Sequence, residues 1–441
     1  MKRYPAYKDS GIEWSPQIPE NWQARPVKTW FDVQLGKMLQ NDSESPLEKK
    51  VPYLKALHVT WGRVQTEDLP EMWASQTQII QYGVKNGDLL VCEGGEVGRS
   101  GIVTNPPVGC IIQNALHRVR ARNNAHISYL MYVLFAMGGA DWFSILCNKA
   151  TIAHFTREKF VDSKIPLPSF DEQNIISSYL DRKTKEIDGL IAKKERMIEL
   201  LREERAAVIN QAVTKGLDHH VEVKDSGIEW LGEVPKSWKI KRLKYVGKVI
   251  IGLTYAPEET APTGTLVLRS SNIQDGKIVF DDTVYVNKQI PDKLLVKDGD
   301  ILVCSRNGSR SLIGKCAQIN NEHKGYTFGA FMTIFRGPSN RFVYYVFNST
   351  IFAFHIGSFL TATINQLTTE NLNGIIIALP PEKEQLAIAE FLDVKTAKID
   401  AQIDRAKKSV ELLKEHRAAL ISEAVTGKID VRSDGELKHG G

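Results

Sequence analysis

Residues 8–14 read KDSGIEW, and residues 224–230 read KDSGIEW again. The phrase opens a register that runs on through the chain. IEWSPQIPENW (12–22) aligns with IEWLGEVPKSW (228–238), VKNGDLLVC (84–92) with VKDGDILVC (296–304), and ATIAHFTREKF (150–160) with ATINQLTTENL (362–372). The longest match pairs residues 177–214 with residues 389–426. The chain is therefore a single unit of about 212 residues written twice. Two copies are too few for a solenoid. A pseudo-twofold molecule follows, by analogy with the isologous pairing of two identical chains.

Each copy has two textures. The first part carries short β-rich runs such as YLKALHV, GDLLVCEGG and GCIIQNALHRV between Gly, Pro and Asn turns, with a helical insert around HISYLMYVLFAM. A proline break follows, IPLPSFDEQ (165–173) or ALPPEKEQ (378–385). After it, residues 171–214 contain neither Gly nor Pro apart from Gly189. Leu180, Ile187, Ile191, Ile198, Leu201 and Val208 recur at spacings of three, four and seven. Leu392, Ile399, Ile403, Ala406, Val410, Leu413 and Leu420 do the same in the second copy. That pattern predicts a heptad seam on a helix roughly 60 Å long. A helix of that length overruns the β-rich part, so its seam needs a partner, and the other copy supplies one. The predicted fold is α+β: two β-rich domains joined by two long antiparallel coiled-coil helices. Its divisions are 1–170, 171–216 (helix), 217–381, 382–430 (helix) and a tail at 431–441. Lys194, Arg205 and Arg417 interrupt the seam. Such residues set register at some cost in stability, or they face a third helix from another protein.

Charge separates the textures. The net charge is +5, yet residues 171–215 hold nine Lys/Arg and nine Asp/Glu, and residues 382–428 hold nine and nine again. The whole excess lies outside the helices, so an anionic partner belongs on the β-rich parts. No run of about 18 apolar residues predicts a membrane span. MKRYPAYKDSGIEW has no apolar h-region of a secretory signal. The five cysteines are odd in number and form no CxxC, so neither a zinc ribbon nor a disulfide framework is expected, and the reading is cytoplasmic.

Several strings imitate catalytic motifs and fall short. NPPV (105–108) approaches the Asn-Pro-Pro-aromatic motif of DNA amino-methyltransferases, but Val108 stands where the aromatic would stack on a flipped base. No glycine-rich donor loop precedes it, which counts against a stand-alone methyltransferase. NGSRSLIGKC (307–316) approaches a phosphate loop, but its spacing is one residue too long and Cys316 replaces the metal-binding hydroxyl. Pro291-Asp292 with Glu322-His323-Lys324 is too loose to define a nuclease, and His219-His220 falls in the linker between the copies with no Cys nearby. No residue of this chain is thereby assigned a catalytic, cofactor-binding or metal-ligating role.

The duplicated KDSGIEW…P…W block, the GDLLV/GDILV strand before a glycine loop, and the HFTREKF…IPLP…EQ run into a long helix together resemble the specificity subunit of type I restriction–modification systems. The resemblance covers essentially the whole chain. It implies that each β-rich part is a target recognition domain reading one half of a bipartite DNA sequence. It implies that the helices set the spacer and dock two modification subunits, which bring S-adenosylmethionine, while two restriction subunits add ATP- and Mg-dependent translocation and cleavage. The specificity module of a modification-only system, or a coiled-coil assembly protein without a DNA role, are the other readings.

On that reading, affinity comes from Lys/Arg on phosphate and sequence from side chains at base edges. The candidates in the first copy are Lys55, His58, Trp61, Arg63 and Arg99. In the second they are Arg269, Asn272, Gln274, Arg306, Arg310 and Lys315. Arg suits guanine, and Asn or Gln suits adenine. Arg99 and Lys315 align, which favours a phosphate contact common to both copies. The glycine loops differ, EGGEVGRSG (93–101) against SRNGSRSLIGKCA (305–317), as two different half-sites would require. Thr151 and Thr363 also align and read as turn or capping residues. Trp14, Trp22, Trp230 and Trp238, with Ile12 and Ile228, read as anchors docking each β-rich part on a helix base, the first beside Val425 to Asp430.

Overall fold

The computed structural model describes residues 2–122, 125–147, 154–360 and 365–433. Thr151 and Thr363 lie outside the described residues. The chain divides into two compact units: Met1–Lys194 with Lys408–Gly441, and Glu195–Lys407. The two long helices run Phe170–Lys215 and Glu382–Val425. Each unit therefore takes part of both helices, unlike the divisions at 170/171 and 381/382. The reason is packing: both helix ends that a unit contains are buried in its core.

In the first unit a six-stranded sheet has the order Phe31–Leu35, Leu116–Ala121, Leu89–Cys92, Ser100–Ile102, Gly62–Val64, Val59–Thr60. All its neighbours are antiparallel except Ser100–Ile102 against Gly62–Val64. Leu89–Cys92, the GDLLVC strand, is buried at all four positions. The helix Ile127–Gly139 packs Tyr129, Leu130, Val133, Leu134 and Met137 into the same core as Trp22, Leu180, Ile187, Leu420 and Val425. In the second unit a four-stranded antiparallel sheet has the order Lys248–Ile251, Met332–Arg336, Ile301–Cys304, Cys316–Gln318. Its core joins Trp238, Ile301, Val303 and Phe342 to Ile209, Val213, Ile388 and Leu392 of the long helices.

Identical letters in the two copies are explained by identical local physics. Asp9 Oδ1 accepts from Gly11 N at 2.9 Å and Ser10 Oγ from Ile12 N at 2.8 Å. Asp225 and Ser226 repeat this at 3.0 and 3.1 Å. The phrase KDSG is thus a side-chain-closed turn. In VKNGD and VKDGD the aspartate is buried: Arg120 Nε donates to Asp88 Oδ1 at 2.7 Å, and Arg336 Nε to Asp300 Oδ1 at 2.7 Å. The EQ that opens each long helix places Gln173 Nε2 on Pro168 O at 3.0 Å and Gln385 Nε2 on Pro380 O at 2.8 Å.

Each helix end is a docking point. Trp22 is fully buried with Ala424, Val425 and Ile429, and Tyr7 Oη donates to Gly427 O at 3.0 Å. Trp238 is fully buried with Ile209, Ala212 and Val213. Trp14 and Trp230 are half-buried beside them. Gly427 and Gly216 end the helices at φ 72° and 75°, a left-handed C-terminal cap that glycine adopts without strain. The ring of Trp22 lies 3.3 Å from where a Cβ at Gly427 would stand, and that of Trp238 lies 3.4 Å from one at Gly216.

The seam divides three ways. Leu180, Ile187, Ile191, Leu413 and Leu420 pack in the core of the first unit. Val208 and Leu392 pack in the core of the second. Ile198, Leu201, Ile399, Ile403 and Ala406 form a separate helix-to-helix cluster, and Val410 is buried. Of the interrupting charges, Arg205 pairs with Asp400 at 2.9 Å and Arg417 with Asp188 at 2.8 Å. Lys194 is half-buried. Asp188 aligns with Asp400 and Arg205 with Arg417, so each unit holds the same cross-helix pair with donor and acceptor copies exchanged. Within each unit the pair joins two antiparallel helix segments.

Candidate nucleic-acid interface

One end of each β-rich part collects its loops, and the same backbone hydrogen bonds bring them together in both units. In the first, Gln113 N donates to Leu54 O at 2.9 Å, Glu93 N to Ala115 O at 3.0 Å, and Phe155 N to Glu93 O at 2.8 Å. In the second, Gly329 N donates to Leu268 O at 3.0 Å, Ser305 N to Phe331 O at 3.0 Å, and Leu367 N to Ser305 O at 2.7 Å. Three loops thus converge on one frame, and the frame is indifferent to the side chains it carries.

The glycine loop leaves this frame and returns through a close approach. Gly98 N donates to Cys92 O at 3.0 Å and Gly314 N to Cys304 O at 2.8 Å. Both glycines have positive φ, 79° and 83°. A Cβ at Gly98 would collide with the ring of Phe143, and one at Gly314 with Ile356. These two positions accept only glycine, for backbone and space alike. The intervening loop is where the copies differ in length.

Several of the candidate residues are already engaged by neighbouring groups of the protein itself. Asn272 is fully buried. Its Oδ1 accepts from Arg269 N at 2.9 Å, and its Nδ2 donates to Val279 O and Asp282 O at 2.9 Å each. His58 is buried, and its Nδ1 accepts from Lys55 N at 3.2 Å. Both close a 3-10 turn, so ALH (56–58) is a turn rather than part of a strand. Burial pushes the His58 imidazole pKa down, away from the charged form. Arg99 donates to Glu96 Oε2 at 2.8 Å and to Ala56 O at 2.9 Å. Arg269 is paired with Asp282 at 2.7 Å. Arg310 donates to Gly357 O and Leu360 O at 3.2 Å, holding the last carbonyls of the helix Thr350–Phe359. Trp61 donates to Glu96 Oε1 at 2.7 Å and packs edge-on against Phe135 at 5.1 Å.

The remaining candidates present themselves to solvent. Arg63, Gln274, Arg306 and Lys315 are exposed, and Lys55 is half-buried. Arg306 lies at the convergent loop end, with its guanidinium 5.1 Å from the ring centroid of Phe331. Phe331 is itself 58% exposed. Phe331 is not among the residues singled out from the sequence, nor are His154, Gln366 and Asn114, which the same frame brings to this end. The signal lay in the alignment itself: Ala115 and Phe331 occupy one place in the two copies with unlike side chains.

The strings that imitate catalytic motifs can be located too. Asn105 of NPPV sits at φ 50° and Val108 is fully exposed, which describes a turn. His323 is buried and its Nδ1 accepts from Asn320 N at 3.0 Å. Among the described residues no group of three His, Cys, Asp or Glu could hold a metal ion. No helix among them is long and apolar enough to cross a membrane.

Comparison with known proteins agrees with this architecture. The specificity subunit of the type I restriction enzyme MjaVIII of Methanocaldococcus jannaschii is 25% identical over 431 residues, covering 95% of each chain. That of EcoKI of Escherichia coli K12 is 30% identical over 209 residues, 45% of this chain and 44% of its own. A solved chain described under complex assembly and conformational transition of the type I R-M system matches with a TM-score of 0.72. It has 15% identity and covers 93% of this chain and 99% of its own. The HsdS subunit from Thermoanaerobacter tengcongensis matches with a TM-score of 0.51 and 15% identity, over 93% of this chain and 98% of its own. At that identity the structures speak to the fold. The family model described as type I restriction modification DNA specificity domain matches residues 19–200 and again 235–411, so this chain belongs to that family and carries its domain twice.

Proposed function

We propose that the chain is the DNA sequence-specificity subunit of a type I restriction–modification complex. Each β-rich part reads one half of a bipartite target, and the long helices set the number of bases between the halves. The observation that carries this reading is the shared loop-end frame with unshared side chains. A protein that bound one ligand twice would repeat the side chains along with the frame. Here KDSG, GD and EQ are repeated where they hold the fold, and the exposed loop residues are not.

The chain itself is non-catalytic on this reading. Methylation belongs to modification subunits carrying S-adenosylmethionine, and cleavage to restriction subunits using ATP and Mg. Two of each fit a duplicated chain, in a cytoplasmic complex. Leu200 and Leu412 occupy matching positions on the two long helices and remain 48% and 56% exposed.

The test is to reconstitute the chain with its modification subunits and S-adenosylmethionine and to sequence the methylated positions in DNA. The expected result is two short blocks separated by a fixed run of unspecified bases. A single continuous motif, or methylation without sequence preference, would refute the proposal.

A further inference from the structure

Among the arginine candidates of the second unit, Arg306 is set apart by what it does not touch. Arg269 and Arg310, like Arg99 of the first unit, are each held by a carboxylate or by backbone carbonyls within the fold. The guanidinium of Arg306 has no such partner among the described residues. Its contact is with the ring of Phe331, at 5.1 Å from the ring centroid. A guanidinium engaged by an aromatic ring keeps its in-plane N–H donors unspent.

The backbone beneath it is fixed from several sides. Ser305 N and Arg306 N both donate to Phe331 O at 3.0 Å, and Leu367 N donates to Ser305 O at 2.7 Å. Arg306 forms a β-bridge with Gln366. Ser305 Oγ donates to Phe331 O at 3.0 Å and Thr333 Oγ1 to Ser305 Oγ at 2.9 Å. Asn307 Nδ2 ties the loop to Ser270 Oγ at 3.0 Å. A side chain that must recognise one base edge gains from such fixing, because little is left to order on binding.

From this we infer that Arg306, supported by Phe331, reads a guanine in the half-site bound by the second unit. Its two outer N–H groups match the O6 and N7 acceptors that guanine alone presents side by side in the major groove. In the first unit the same frame positions carry Gly94 for Arg306, Ala115 for Phe331 and His154 for Gln366. None of these three carries a guanidinium fork, so the assignment is specific to one half-site. The inference rests on the specificity reading above and names the residue and the base.

The experiment uses the full chain reconstituted with its modification subunits and S-adenosylmethionine on a random-sequence DNA library. Methylated positions are mapped for the unsubstituted chain, Arg306→Ala and Arg306→Lys. With Arg306→Ala, preference at one G·C pair of one half-site falls roughly tenfold to a hundredfold, while the other half-site and the spacing stay the same. Arg306→Lys, which keeps charge but loses the fork, retains part of that preference. An unchanged motif overturns the inference and leaves the specificity reading standing. So does a uniform loss of methylation over all sequences, which marks a phosphate contact. Loss of both half-sites together also counts against it, since Arg306 is exposed and its removal leaves the loop's hydrogen bonds in place. If the unsubstituted chain itself gives no bipartite motif, both the specificity reading and the inference fail.

Discussion

His58 and Asn272 close the same turn with different atoms, an imidazole nitrogen in the first unit and an amide oxygen in the second. His323 closes a third turn of this kind on Asn320. Truncating Asn272 strips a buried partner from Arg269 N, Val279 O and Asp282 O together. Asn272→Ala is expected to destabilise the protein by about 2–3 kcal/mol, read as a lower midpoint in urea unfolding. His58→Asn keeps the cap and removes a titratable group. Because burial lowers the pKa of folded His58, its contribution is complete above the unfolded value near 6.5 and is lost as pH falls below it. The thermal midpoint of His58→Asn is therefore expected to match the parent at pH 7.5 and to exceed it at pH 5. The methylation motif should not change. An altered motif would return His58 to the DNA. Sequence alone does not separate these roles, because the groups that suit a base edge also suit a backbone amide. What decides is a spacing of three residues from Lys55, Arg269 and Asn320 to their capping partners, a legible signal once capping is sought.

Periodicity tells which face of a long helix is buried, and says nothing about what buries it. The seam residues follow one heptad rule, yet Leu180 and Leu392 serve the cores of their units while Ile198, Leu201, Ile399 and Ile403 serve the helix pair alone. The charges on the seam were legible as interruptions, and their partners were not. Asp188 and Asp400 are ordinary surface carboxylates in the letters, and only antiparallel pairing sets them against Arg417 and Arg205. A double-mutant cycle on Arg205→Ala and Asp400→Ala is expected to give a coupling of about 0.5–1 kcal/mol. The Arg417 and Asp188 cycle should give a similar value. A coupling near zero in both would show that these pairs contribute nothing to helix register.

The largest scale was the most legible. Duplication, long helices and a neutral helical charge balance against basic heads can all be read from the letters. They led to two repeated units and to the family. The loop ends were least legible, because the side chains exposed there are free of the packing rules that constrain the rest. The central claim is a division of labour: heads choose sequence and helices choose spacing. Inserting four helix-forming residues after Lys194 and four more after Lys407 lengthens both helices by roughly 6 Å, at 1.5 Å per residue. It leaves every described loop-end residue untouched. Methylation mapping of that variant is predicted to return the same two half-sites with a longer run of unspecified bases between them. The original spacer, kept unchanged with full activity, would contradict that division of labour.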